Sequence, residues 1–162
     1  MSELQTSQIE VTRVFSKPRA DVWKALTAEI QEWWPKDYYI GPYEKIEPVG
    51  ISLDAKIGGL FAEDWGGGDG LVWGTVIACR KESMLLVAGD STGQWGGPNR
   101  GYSEYRLTDV EGKTQVTFKH EAWGKVSEST ASSLEEGWAL LMDCLGRWVE
   151  AGERPERPPS VS

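Results

Sequence analysis

A chain of 162 residues, 40% hydrophobic and 26% charged, is long enough for one domain with a sizeable core and ordinary for a globular protein. A formal net charge of −8, with no Lys/Arg cluster to override it, excludes a nucleic-acid footprint and opposes binding to anionic lipid. Cys79 and Cys144 are too few for a disulfide framework, and no apolar run reaches the roughly 18 residues of a membrane span.

The opening MSELQTSQIE has no charged-then-apolar signal pattern, so a cytoplasmic protein with two buried thiols is expected. Residues 8–15 read as a first strand, with Ile9, Val11 and Phe15 on one side. Ser16 offers a helix cap, and Pro18 sits early in the helix, where its missing N–H does no harm. Val22, Leu26, Ile30 and Trp33 then keep helical spacing until Pro35 ends the run. Strands are expected over residues 39–48, 56–65, 71–80, 84–88, 102–110 and 114–123, the last two joined by a tight hairpin.

A long helix closes the pattern over residues 127–151. Leu134, Trp138, Leu141, Leu145 and Trp148 form one stripe, widened by Leu140 and Cys144, with Ser and Thr residues before Leu134 available as caps. Gly137 and Gly146 lie inside it, although each weakens a helix by roughly 1 kcal/mol relative to alanine. Glycines kept at that cost suggest a surface pressing close to the helix backbone. A meander of strands without intervening helices favours an α+β class, with a curved antiparallel sheet wrapped around the closing helix. The expected division is one domain over residues 1–151 and a Pro-rich flexible tail over 152–162.

The opening IEVTRVFSKPRADVWKALTAEIQEWW, the turn Gly58-Gly59-Leu60-Phe61, and TQVTFKHEAWG followed by EEGWALLMDCL resemble the START-like (SRPBCC) superfamily. The branch is that of the activator of heat-shock-protein ATPase homologues, and the resemblance runs from about Gln8 to Ala151. It implies a helix-grip fold, in which about seven antiparallel strands hold the closing helix over a hydrophobic cavity. Chaperone-activating relatives carry an additional N-terminal region that this sequence does not show.

Several residues could serve such a cavity. Val116, Phe118, His120 and Ala122 alternate with Thr117, Lys119 and Glu121, which turns the only histidine toward the closing helix. There it is either an orienting or proton-shuttling group, or a satisfied core residue. Alternation also places Phe61, Glu63 and Trp65 on one face. A carboxylate at 63 must be paired or hydrogen-bonded, with Arg106 or Tyr105 as candidate partners, and is read as structural or as an acid/base group. Trp34, Trp65, Trp73, Trp95, Tyr105, Trp123 and Trp138 come from separate elements, in a chain with nine tryptophans and three phenylalanines. They suit either a core or the flat walls of an aromatic site. Trp138 heads the set, and Met142 one turn later suits an adaptable wall.

The glycine-rich stretches 65–70 and 93–101 lack a P-loop ending and do not match G-x-G-x-x-G opening a helix, so they are read as loops at the cavity mouth. Trp95 would then be a lid. One histidine and two distant cysteines build no zinc shell, no loop has calcium spacing, and no nucleophile elbow exists; neither a metal, a cofactor nor a catalytic residue is assigned. Three functions stay open. The first is binding of a small hydrophobic or aromatic molecule through Trp138, Met142, His120, Phe118, Phe61, Glu63, Trp65, Trp73, Tyr105, Trp34 and Trp95. The second is a cavity enzyme of the cyclase, dehydratase or hydrolase type using His120 or Glu63. The third is an interaction module for a protein partner, a chaperone or a second copy. A cavity under roughly 300 Å³ would favour the third.

Overall fold

The computed structural model describes residues 5–41, 50–92, 97–126 and 128–156. Seven antiparallel strands form one sheet: β1 (Gln5–Phe15), β2 (Gly50–Leu53), β3 (Leu60–Gly66), β4 (Asp69–Arg80), β5 (Met84–Ser91), β6 (Asn99–Val110) and β7 (Lys113–Gly124). Their order is β1-β7-β6-β5-β4-β3-β2, so the first strand joins the last and the rest meander back. α1 (Arg19–Leu26) and α2 (Ile30–Trp33) follow β1, and α3 (Glu128–Ala151) closes the chain over the concave face. The architecture is the α+β helix grip that the strand order and the resemblance imply.

The period-two pattern of β7 places Val116 and Phe118 in the core, completely buried, opposite Leu107 and Tyr105 of β6. From α3, Leu141, Met142, Cys144 and Leu145 press onto this layer. Leu140 does not belong to the buried stripe: it is 43% exposed. The two helical glycines are explained by their neighbours. A Cβ at position 146 would stand 2.8 Å from Cε1 of Phe15, and one at 137 would stand 3.3 Å from Cε1 of Tyr38.

The helices, the residues before β2 and the start of β3 depart from the sequence expectation. The single helix expected after β1 is two, because the chain breaks at Thr27, whose hydroxyl donates back to the carbonyl of Trp23 at 2.7 Å. Pro18, not Ser16, is the N-cap of α1, and no side chain caps it. Ser16 instead donates through its N–H and hydroxyl to Glu150 on α3, which pins the start of the helical segment to the end of the closing one. Of the serines and threonines proposed as caps for α3, those at 129–133 lie within the helix, and Ser127 falls outside the described residues.

Tyr39 and Ile40 follow a 3-10 turn over Lys36–Tyr38 and are not strand; 42–49 lie outside the described residues, and the strand stands at Gly50–Leu53. The strand expected from residue 56 begins at Leu60. A turn precedes it, closed by Gly59 N–H donating to the Lys56 carbonyl at 2.8 Å, with Gly58 at φ +77. Past α3, Arg154 reaches Glu32 at 2.6 Å and lies over the ring of Trp148, while the Lys36 N–H donates to the Glu156 carbonyl. Residues 157–162 are outside the described part.

Candidate functional site

Between the concave sheet and the first half of α3 lies a cavity of about 180 Å³. Phe61, Trp73, Val87, Ala122, Leu134 and Trp138 give it apolar walls, while Ser91, Asn99, Ser103 and His120 add polar groups. The apolar wall is held by ring contacts. Trp138 stacks on Phe118 at 4.1 Å between centroids, and Trp34 meets Phe61, Trp73 and Trp138 edge-on at 5.5, 6.4 and 6.2 Å. Such offset and T-shaped pairs are the favoured aromatic geometries.

The polar wall is built on adjacent strands. Ser103 of β6 stands directly opposite His120 of β7, and its Oγ lies 3.0 Å from Nδ1 of the imidazole. The ring fits because position 101 is glycine: a Cβ there would stand 2.9 Å from Cε1 of His120. Nε2 makes no hydrogen bond among the described residues. Burial holds the imidazole below its ordinary pKa of 6.5, since desolvation disfavours the cation. At neutral pH it is therefore a neutral donor–acceptor, suited to a hydroxyl or carbonyl and not to ion pairing.

Glu63 is 2% exposed and bound by four N–H donors. Oε2 accepts from Ile40 N–H at 2.9 Å and Trp73 Nε1–H at 2.8 Å; Oε1 accepts from Gly41 N–H at 2.9 Å and Trp65 Nε1–H at 3.2 Å. Successive amides at 40 and 41, the second on a glycine at φ +62, form an anion nest that the carboxylate fills. Arg106 and Tyr105 are not its partners. Arg106 lies on the outer face and bonds Glu104 at 2.8 Å, while Tyr105 is buried against Phe118 and Trp138. Burial alone pushes the Tyr105 phenol well above its usual pKa, so it stays protonated.

A family model described as "Activator of Hsp90 ATPase homolog 1-like protein" matches residues 16–150. The chain belongs to this family. A search of curated proteins found no match. Solved structures similar to the chain include the Mll3558 protein from Rhizobium loti, 16% identical with TM-score 0.65 over 90% of this chain and 98% of that one. CalU16 from Micromonospora echinospora is 18% identical with TM-score 0.61 over 93% and 87%. The Aha1 dimer from Colwellia psychrerythraea is 19% identical with TM-score 0.62 over 90% and 98%. At such identities the likeness concerns the fold.

Within that family fold, the residues singled out from the sequence separate into layers. Trp138, His120, Phe61 and Trp73 line the cavity. Phe118, Tyr105 and Trp34 lie behind them, and Met142, 1% exposed, is deeper in the core. Glu63 and Trp65 form the latch behind Trp73. Trp123 turns to the outer face, where it meets Tyr102. Trp95 lies outside the described residues. Ser103 was missed, although its signal was present: it is two residues before Tyr105 and shares its face. The wall residues Val87, Gly89, Ser91 and Asn99 had no comparable signal, because strand register decides which of them reach the site.

Both thiols are pushed up by burial and are poor nucleophiles. Among the described residues no cluster could hold a metal ion, and no helix is long and apolar enough to cross a membrane.

Proposed function

We propose that the protein binds a small aromatic or apolar molecule carrying one hydrogen-bonding group, in the cavity between the sheet and α3. The observation that carries this reading is the cavity itself, walled by Trp138, Phe61 and Trp73 and met on one side by the His120–Ser103 pair. Its volume of about 180 Å³ limits the guest. Pockets for larger ligands run from about 300 Å³ upward, but an apolar cavity of about 150 Å³ accommodates benzene. A site of that volume suits one ring, not a fused system. Phenol fits the chemistry, its ring between the aromatic walls and its hydroxyl on His120. An enzyme using this site would depend on His120, because the acceptor positions of Glu63 are already committed to N–H donors.

Titration with phenol, followed by tryptophan fluorescence and melting temperature, tests the reading. A saturable fluorescence change with a rise in Tm is expected, weakened by His120→Ala. No saturable change with phenol, toluene or 4-methylphenol would overturn it.

A second reading, an interaction module, is favoured by two observations. The cavity is below the size of a typical ligand pocket, and Leu60, Val72 and Ile77 are about half exposed on the β3–β4 side of the sheet. The similar Aha1 structure is described as a dimer, which makes a second copy the partner to test first. Sedimentation with Val72→Lys decides it: a dimer that this change dissociates is the expected result, and a monomer at every concentration ends it.

A further inference from the structure

Trp73 has cavity on both sides. It lines the cavity under α3 and also a second, more open groove of about 320 Å³ formed with Ile40, Leu71, Val72, Asp90 and Ser91. Trp73 and Ser91 are the residues common to both linings. The strand geometry explains how an indole comes to stand there. Phe61 pairs with Gly74 and Ala62 with Val72, so Trp73 stands opposite no residue of β3. Such a bulge re-aims a side chain, and bulges recur beside functional sites. The indole is then held by three contacts, a stack on Phe61 at 5.9 Å, an edge contact with Trp34 at 6.4 Å and the hydrogen bond to Glu63.

We propose that Trp73 is a gate, and that the binding site continues past it into the groove, taking a ring that bears an unbranched apolar tail. This rests on the ligand-binding reading above. Opening gives up one of the hydrogen bonds to Glu63, whose carboxylate keeps Ile40, Gly41 and Trp65 as donors. The gate can therefore move without stranding a buried charge. Ile40, Leu71 and Val72 line the groove where the tail would lie, and its one carboxylate, Asp90, is paired with Arg100 at 3.0 Å. Together the two spaces, about 180 and 320 Å³, reach the range of ordinary small-molecule sites.

The test compares phenol, 4-propylphenol and 4-hexylphenol by calorimetric titration of the full chain, with the ratio of 4-hexylphenol to phenol affinity as readout. The wild type is expected to gain about threefold or fourfold for each of the first methylenes buried. Leu71→Asp places a charge in the groove and should bring the ratio down at least tenfold. Trp73→Phe removes the N–H that Glu63 holds and should raise the ratio. Phenol binding with a ratio near one in the wild type, or a ratio that neither substitution moves, overturns the gate and leaves the cavity reading intact. Failure of all three phenols to bind removes that reading and the gate with it.

Discussion

The indole N–H of Trp73 donates to Oε2 of Glu63 at 2.8 Å, joining a wall of the cavity to a buried carboxylate whose other oxygen serves Gly41 and Trp65. Four N–H donors complement an ionised carboxylate, which only accepts. Glutamine is nearly the same shape but has one oxygen and one amide nitrogen. In either orientation that nitrogen faces two N–H groups it cannot satisfy. Glu63→Gln should therefore cost about 2–6 kcal/mol, at about 1–3 kcal/mol for each of the two buried donors left unpaired. Urea denaturation with an unchanged m-value measures it, and a loss under about 1 kcal/mol would show that the latch is not tight.

The two helical glycines should respond differently to alanine. Alanine gains roughly 1 kcal/mol of helix propensity at either position. At 146 the added methyl meets the ring of Phe15, itself 4% exposed and fixed between β1 and α3, at 2.8 Å. Overpacking a fixed core costs about 1–3 kcal/mol, so Gly146→Ala should destabilise on balance. At 137 the neighbour is the half-buried Tyr38 at 3.3 Å, and a small shift of that ring relieves the contact. Gly137→Ala should be neutral or stabilising. Equal Tm changes in the two variants would refute this packing account.

Much of this was legible beforehand, and the failures have physical causes. The Leu134–Trp148 stripe and the β7 alternation gave the grip, because each has one buried face and a clear period. Thr27 was not recognised as a break, since the apolar spacing continues from Leu26 to Ile30 across it. The partners of Glu63 were also unreadable. Two are backbone amides at 40 and 41, which no side-chain pattern announces, and the third and fourth are indoles, one of them brought there by a bulge. Ser103 could have been found from Tyr105 by strand period alone, whereas Ser91 and Asn99 depend on register.

His120 gives the protein a stability that depends on pH. Burial lowers its folded pKa below the ordinary 6.5, so at pH values between the two the unfolded chain binds the proton more readily. The contribution is present above about pH 6.5 and is lost as pH falls from there through the folded pKa. Glu150 also has a lowered pKa, mainly through its hydrogen bonds from Ser16, and its loss begins lower, below the ordinary 4.5. Urea titrations from pH 7.5 to 5 should show falling stability in the wild type and a flatter profile in His120→Gln. Identical slopes would mean that the imidazole is wetter than its place beside Ser103 and Phe118 implies.

Trp138 sets the size of the cavity. Its indole stacks on Phe118 at 4.1 Å and meets Tyr105 and Trp34 in T-shaped contacts, so truncation opens space between α3 and the sheet. Trp138→Ala should cost about 2–4 kcal/mol, toward the low side for a large aromatic because the ring is only half-buried. The same change should weaken phenol, which loses a wall, and admit 1-naphthol, whose second ring takes the vacated place. Calorimetric titration of both compounds against both proteins separates size from stability, because a variant that is merely loosened loses both ligands. If the wild type already takes 1-naphthol as well as the variant does, Trp138 is not the boundary of the site.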